Sequence, residues 1–524
     1  MKRIKWFNLL FSILLSLSIN LKVVINKGLD YFIKEFKFDF SFLINNIILC
    51  VVIYFIILLI FKLLDKIKIK NTDLFIDKNK KILVFFSIFI TTIIFLLVYY
   101  PGVYLNDTYY MIYGPIRFSN GHPLFLNLTW SILFFALKIY FSSSFSIFCM
   151  SFIQSVISAV VLTYIVIWFN KKIKNKTFTI LLILYYIFIP IVSNYNMALN
   201  KDTIYTLMFL LFLTLYYEII ETKGNILLNR KFIFKLIIVS MLMMYTRNNG
   251  FYIIVPSIAV LLFVYGIKKY YKSILGILVV LIILSFIPTL ISKSYNVEYL
   301  KREKYALPIQ QVCYLVKYYP DKLNKSDYDL LDKIIINSKE TINDKYNVYK
   351  VDDIKFDSNF NDDAFNKYEK KFASLWLDKM PRNIDSYLKS YLLNNYHLWA
   401  IDKLVKKQSV FLEASISGVL EEHQVINKRI LPNSIHNLLS SYYEKFTTFF
   451  NPALSFIILF LFNVYSLYHK NKKLVIFSFP LMITWFGSLI VSPLSSALRY
   501  LAIYIYMLPI IIFFILKETR DKYE

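Results

Sequence analysis

A polar stretch between two apolar runs, residues 101–123 (PGVYLNDTYYMIYGPIRFSNGHP), carries the side chains best suited to chemistry. It contains the carboxylate of Asp107, the guanidinium of Arg117 and the imidazole of His122. An irregular segment at membrane depth must lie in headgroups, in water or in a covered cavity, because lipid does not satisfy its backbone groups. A plain connection needs only about four to eight residues. We therefore interpret this stretch as an active-site loop, with a surface loop as the alternative.

The residue types indicate a base and a phosphate-binding site. A lone carboxylate such as Asp107 can take the proton of a hydroxyl group. Guanidinium and ammonium groups bind phosphate oxygens and stabilise the charge that develops on a departing phosphate. Charged residues at membrane boundaries are expensive and suggest function, unless each one reaches the headgroups or pairs locally. The catalytic candidates are Asp107, His122 and Asp202, and the substrate-binding candidates are Arg117, Lys201, Arg247, Asn248, Gln310, Gln311 and Arg499.

The composition places these residues in a membrane protein. Hydrophobic residues make up 57% of the 524 residues, and charged residues only 18%. Apolar runs of about 17–25 residues recur along the chain, which is the length that crosses a bilayer as a helix. The formal net charge of +26 comes from Lys and Arg clusters between these runs. The positive-inside rule predicts such clusters. No basic face outside these loops suggests that the protein binds nucleic acid. Cys50, Cys149 and Cys313 have neither a disulfide pattern nor metal-site spacing.

The order of apolar and basic segments predicts an all-α polytopic protein with about 12–13 transmembrane or re-entrant helices and both termini in the cytoplasm. The first three crossings carry residues 101–123 to the extracytoplasmic side. Residues 124–141 then dip into the membrane without crossing, because the basic loop at 171–176 would otherwise lie outside.

Three regions follow from this topology. Residues 1–292 form an N-terminal transmembrane module that includes the active-site loop. Residues 293–450 alternate apolar and charged side chains between prolines, which predicts a mostly helical extracytoplasmic region. Residues 451–524 supply the C-terminal transmembrane helices.

Several motifs together resemble integral-membrane glycosyltransferases of GT-C type, and the protein mannosyltransferase-like group is the nearest. The motifs are Asp107 in the first outer loop, the entry GHPLFLNLTW into the next apolar run, and SNYNMALNKDTIYTLMFLLFL, with an acidic residue just before a helix. More closely, SNGHP, LNKDT, TRNNG, ALPIQQV and ALRY resemble a family of uncharacterised, GT-C-like polytopic bacterial proteins. The resemblance covers most of the chain from about residue 82.

The resemblance implies transfer of a hexosyl or pentosyl group from a polyprenyl-phosphate donor to a wall, lipid or protein acceptor outside a bacterial plasma membrane. It implies that Asp107 is the base, that Lys201, Arg247 and Arg499 bind phosphate, and that His122 and Asp202 act beside the base or with a metal. GT-C proteins often have two adjacent acidic residues in this loop, whereas Asn106 and Thr108 flank Asp107 here. The sequence therefore favours a base without a metal and leaves a Mg²⁺ or Mn²⁺ ion open.

Two other functions stay open. A polymerase or ligase of surface polysaccharide is compatible with the large late outer region and with the spacing of Arg247 and Gly250. A transporter or flippase of lipid-linked saccharides would also gather basic groups around a phosphate. Transporters are typically built from repeats with broken helices near the midplane. We identify neither feature in the sequence, which favours glycosyl transfer.

Overall fold

The computed structural model describes residues 2–67, 71–72, 74–113, 122–294, 301–401, 430–446, 452–491 and 498–518. These ranges are helical and contain no strand, and their only β contacts are isolated bridges. The prediction of an all-α protein is therefore confirmed for the described residues.

The described helices of the N-terminal part are α1 (Lys2–Lys27), α2 (Phe40–Leu64), α3 (Lys78–Val98), α4 (Asn106–Tyr113), α5 (Leu124–Lys138), α6 (Ser143–Ile173), α7 (Lys176–Phe188), α8 (Pro190–Met197), α9 (Lys201–Glu221), α10 (Arg230–Thr246), α11 (Gly250–Leu261) and α12 (Tyr271–Ser294). Short helices follow, namely α13 (Ala306–Tyr318), α14 (Lys325–Ile334), α15 (Ser338–Lys345), α16 (Asp352–Lys355), α17 (Asp362–Lys379), α18 (Ile384–Asn394) and α19 (Tyr396–Trp399). The last described helices are α20 (Asn433–Phe446), α21 (Pro452–Tyr468), α22 (Lys472–Val491) and α23 (Ala502–Glu518), with a 3-10 turn at Leu498–Leu501.

Eight helices within the described ranges are long and apolar enough to cross a membrane. They are α1, α2, α3, α6, α9, α12, α22 and α23 together with the 3-10 turn before it. The pair α7–α8, which bends by 60° between the two helices, is long and apolar enough to be a ninth span if it crosses as one unit. These spans make the chain a multi-pass membrane protein. They also correct one expectation, since the run that the sequence predicts as a single crossing at 177–192 is a broken helix.

The two ends of α9 define the two ends of the bundle. At its C-terminus, Lys172 Nζ lies 2.8 Å from Glu218 Oε1 and also pairs with Glu221. Lys517 Nζ donates to the carbonyl oxygen of Lys172 (3.1 Å), which brings the last helix to the same place. We call this the basic end and the N-terminus of α9 the site end. The 21 residues of α9 rise about 30 Å, which matches the hydrocarbon core of a bilayer.

Helix α5 lies at the site end. Its 15 residues reach only about 22 Å, which is shorter than the bilayer core. Ser131 Oγ donates to the carbonyl oxygens of Met111 (3.0 Å) and Ile112 (2.8 Å) in α4. Trp130 and Phe134 share a buried cluster with Ile147 and Met150, near the start of α6. This placement supports the expectation that residues 124–141 do not cross the membrane.

Residues 301–401 form a helical unit with its own core. The core includes side chains of α13 to α19 and also residues near the junction of α1 and α2. Lys389 Nζ is buried and donates to the carbonyl oxygens of Ile33 (3.1 Å) and Phe36 (2.7 Å). The unit is thereby attached to the α1–α2 connection.

Candidate functional site

The site begins where two loops run side by side. The backbone N–H of Leu199 donates to the carbonyl oxygen of Val103 (3.3 Å), and the hydroxyl of Thr108 donates to that of Leu199. Gly102 lets the first loop lie close against α6, because its φ is 126° and a Cβ there would collide with Ser151. The pairing places the first turn of α4 beside the first turn of α9. Asp107 and Lys201 therefore face each other although they are far apart in sequence.

Asp107 is the acceptor for two cations. Its Oδ2 lies 3.1 Å from Arg499 Nη1 and 3.4 Å from Lys201 Nζ. Lys201 Nζ also lies 3.0 Å from Nδ1 of His122. These four side chains come from α4, the second residue before α5, the start of α9 and the 3-10 turn before α23. The sequence predicts all four as site residues, and the fold brings them into one cluster.

Asp202 forms a second layer beneath this cluster. Its carboxylate is fully buried, with Oδ1 2.9 Å from Arg247 Nη1 and Oδ2 4.0 Å from Arg499 Nε. The guanidinium of Arg247 lies over the ring of Tyr500 (4.9 Å to the centroid) and near that of Tyr205 (5.5 Å). The Tyr500 hydroxyl lies 3.1 Å from Arg499 Nη2. Asp202 and Tyr500 therefore hold the two guanidinium groups next to each other.

A tight turn fixes Arg247 in this layer. Arg247 follows the last residue of α10, and the N–H of Gly250 donates to its carbonyl oxygen (2.9 Å). A Cβ at Gly250 would lie 2.7 Å from the carbonyl oxygen of Met243, so only glycine allows α11 to start this close to α10. The motif TRNNG therefore has a structural explanation in addition to the charge of its arginine.

The two cations keep Asp107 ionised. Burial alone would raise its pKa, but the positive charges of Lys201 and Arg499 outweigh burial and lower the pKa well below its ordinary value of 3.8. Burial and the neighbouring Lys201 lower the pKa of His122 to about 4. His122 is therefore neutral at neutral pH. Because Lys201 donates to Nδ1, the ring carries its proton on Nε2.

The pKa of His122 gives a prediction for stability. In the unfolded chain His122 gains a proton near pH 6.5, whereas in the folded protein it does so only near pH 4. The folded protein should therefore lose about 1–3 kcal/mol of stability from this group as pH falls through that window. We expect thermal unfolding of His122→Gln in detergent to depend less on pH between 6.5 and 4 than unfolding of the wild type.

The matched control is His469→Gln at the basic end, where His469 Nε2 lies 2.9 Å from Asp65 Oδ1. An equal pH dependence in wild type and His122→Gln would contradict the assignment of a neutral His122.

The arrangement does not fit a metal ion between Asp107 and His122. The ammonium of Lys201 already lies between these two side chains, within 3.4 Å of Oδ2 and 3.0 Å of Nδ1. Across the described residues, no group of three or more His, Cys, Asp or Glu side chains is arranged to hold a metal. The charged side chains of the cluster itself are therefore the groups available for chemistry.

Four substrate-binding candidates have other positions. Gln310 and Gln311 are buried in the helical unit of residues 301–401, where Gln310 Nε2 donates to the carbonyl of Val348 (2.9 Å) and Gln311 accepts from Trp376 Nε1 (2.8 Å). They are core hydrogen-bonding groups outside the Asp107 cluster. Asn248 is exposed beside Arg247. Arg117 lies outside the described residues.

Sequence reasoning missed Tyr205 and Tyr500. Both could have been found from their position beside charged candidates, since Tyr500 follows Arg499 and Tyr205 lies one helical turn after Asp202.

The described chain is thus a polytopic all-α membrane protein with a charged cluster at one end of its helix bundle. It belongs to the family of unknown function DUF6020, whose family model matches residues 102–524. The matched range begins at Gly102 and includes every member of the cluster. No curated protein and no solved structure matches the chain.

Proposed function

We propose that the protein is a membrane glycosyltransferase that moves a sugar from a polyprenyl-phosphate donor to a hydroxyl acceptor at the site end. One observation carries the proposal. A carboxylate, Asp107, lies within reach of two cations that can bind phosphate, Lys201 and Arg499, and the buried Asp202 holds Arg499 from behind. A base next to an anion-binding group is what glycosyl transfer from a lipid phosphate requires.

The reaction uses the cluster as follows. Asp107 takes the proton of the acceptor hydroxyl, and the oxygen of that hydroxyl forms a bond to the anomeric carbon of the sugar. The bond between that carbon and the phosphate oxygen breaks, and the lipid phosphate leaves with the electron pair. Lys201 and Arg499 stabilise the negative charge that the phosphate gains. Asp202 is fully buried, so its part is to orient Arg247 and Arg499.

The wall beside the cluster favours a lipid-borne donor. Two hydrogen bonds show which residues of α6 and α12 lie level with the cluster. Gln154 of α6 donates to the carbonyl of Ala198, shortly before Lys201. Tyr245, shortly before Arg247, donates to the carbonyl of Leu284 in α12 (2.9 Å). Beyond this level α6 and α12 each continue for about 15 Å. Large apolar side chains are exposed along these extensions and along α5 and the residues that follow it, including Ile132, Phe135, Ile139, Tyr140, Phe286 and Leu290. An exposed apolar wall of this kind suits contact with lipid.

The test is donor consumption by the purified protein in lipid, with a panel of radiolabelled polyprenyl-phosphate sugars and a cell-envelope extract as acceptor. We expect one donor to lose its sugar and release polyprenyl phosphate. A panel that is bound but never consumed would overturn the proposal and would favour a carrier.

A carrier or flippase of lipid-linked saccharides is the second candidate, because of the break between α7 and α8. Pro190 starts α8, and the two helices meet at 60°. Helix α8 is buried and leads through residues 198–200 to Lys201. Broken helices beside a binding site are typical of secondary transporters. Transport of an intact lipid-linked saccharide across vesicle membranes, without sugar release, would favour this function.

We further propose that the protein resides in a bacterial plasma membrane with the site end outside and both termini in the cytoplasm, because Lys residues concentrate at the basic end. A membrane-impermeant maleimide should label Asn248→Cys in intact cells and Lys171→Cys only after permeabilisation. Both positions are exposed. The parent protein is the control, since Cys50 and Cys313 are buried and Cys149 is half-buried. The opposite labelling pattern would reverse the orientation.

A further inference from the structure

The proposed base and the proposed phosphate-binding groups are bound to each other. Oδ2 of Asp107 receives both Arg499 Nη1 and Lys201 Nζ. A carboxylate oxygen and a phosphate oxygen are the same kind of acceptor for these donors. We propose that Asp107 is an internal ligand of the phosphate site, and that an anionic headgroup exchanges with its carboxylate on Lys201 and Arg499. This inference rests on the proposed function.

The geometry of Arg499 favours an exchange at Asp107. Its Nε is directed to Asp202 (4.0 Å), its Nη2 to the hydroxyl of Tyr500 (3.1 Å), and its Nη1 to Asp107 (3.1 Å). Asp202 is fully buried, whereas the side chain of Asp107 is 22% exposed. Among these partners, Asp107 is therefore the charged group that a ligand entering from the open side can displace.

The charges of the cluster permit this exchange. Lys201, Arg247 and Arg499 carry three positive charges, whereas Asp107 and Asp202 carry two negative charges. A phosphate with a single charge that takes the place of Asp107 meets the cations that held the carboxylate, so these cations stay paired. The occupied cluster then has three negative charges against three positive ones.

The exchange also determines when Asp107 can act as a base. While Lys201 and Arg499 hold it, the carboxylate has little affinity for a proton. Once a phosphate occupies those cations, Asp107 loses two positive neighbours and gains a negative one, and both changes raise its pKa. Donor binding would therefore switch on the base, and an empty site would not activate acceptor hydroxyls or water.

The first test compares two variants that each remove one negative charge from the same cluster. The probe is farnesyl methyl phosphate, a phosphodiester with a single charge. We expect Asp107→Asn to bind the probe at least about 10-fold more tightly than the wild type, because its internal competitor is weakened. Asp202→Asn should bind it more weakly, because the arginines lose their support. If both variants bound the probe more tightly by the same factor, the loss of any negative charge in the cluster would explain the gain, and the exchange would be overturned.

The second test needs only the wild type and Asp107→Asn, so it does not depend on the folding of Asp202→Asn. Calorimetry of probe binding near pH 4.5, in two buffers with different ionisation enthalpies, measures the protons taken up. The wild type should take up more protons than Asp107→Asn, since displacement raises the proton affinity of the carboxylate. Equal uptake would overturn the exchange.

These tests separate the exchange from the proposed function. A wild-type protein that consumes donor but shows no advantage for Asp107→Asn in probe binding retains the proposed function without the exchange. A wild-type protein that neither binds the probe nor consumes any donor loses both.

Discussion

Asp107→Asn should reduce sugar transfer by about 100- to 10,000-fold, since general-base catalysis typically contributes that much and the amide of asparagine does not take up a proton at neutral pH. Asparagine has the same shape as aspartate and keeps one acceptor oxygen for Arg499 Nη1, which lies 3.1 Å from the carboxylate in the wild type. The fold should therefore persist while turnover is lost. The measurement is donor consumption in lipid, together with the thermal unfolding temperature of the same preparation.

The matched control is Asp65→Asn at the basic end, where Asp65 accepts from Tyr465 (2.8 Å) and His469 (2.9 Å). This variant removes one carboxylate charge without touching the cluster, so its turnover should stay near that of the wild type. Wild-type turnover in Asp107→Asn would rule out Asp107 as the base. Loss of turnover in both variants would point to a general defect in folding.

Arg499→Ala should weaken binding of the polyprenyl-phosphate donor about 100-fold, which corresponds to about 2.7 kcal/mol at 25 °C. Charge-assisted hydrogen bonds are worth about 1.5–3 kcal/mol each. Arg499 is also the side chain that links both layers of the site, since it contacts Asp107, Tyr500 and the buried Asp202. Its removal leaves Asp202 with Arg247 as its remaining ion-pair partner in the described structure.

Donor binding can be measured by retention of radiolabelled lipid on the reconstituted protein. Arg230→Ala is the control, because Arg230 starts α10 at the basic end and is exposed. Arg499→Lys should recover part of the affinity, since it keeps the charge but loses the planar fork. Unchanged affinity in Arg499→Ala would remove this residue from the phosphate site.

The charged members of the candidate cluster can be picked out from the sequence because each one lies in or beside a polar segment between apolar runs. Charges at membrane boundaries are expensive, and Asp107, Lys201, Arg247 and Arg499 all lie at the same boundary. Their pairing could not be predicted in this way. It depends on the contact between residues 102–105 and 198–200, which only the packing of α4 against α9 and α6 provides.

The amides of Gln310 and Gln311 lie apart from the Asp107 cluster. They bind backbone carbonyls and an indole inside a small helical core. Amide side chains can donate and accept at once, so they are well suited to such cores.

The helix break at Pro190 was not predicted from the sequence. A proline within an apolar run fits both a kinked crossing and the first turn of a new helix.

The contact between Arg499 and Asp107 has a consequence for the order in which the site comes into existence during synthesis. Asp107, Lys201, Asp202 and Arg247 are all made before the helical unit of residues 301–401, and their formal charges sum to zero. Arg499 arrives with the final membrane segment, and its docking changes the cluster from neutral to positive. A nascent chain therefore has no net attraction for an anionic headgroup at this position until its last helix is inserted. Affinity for an anionic headgroup would thus appear only after α23 is inserted.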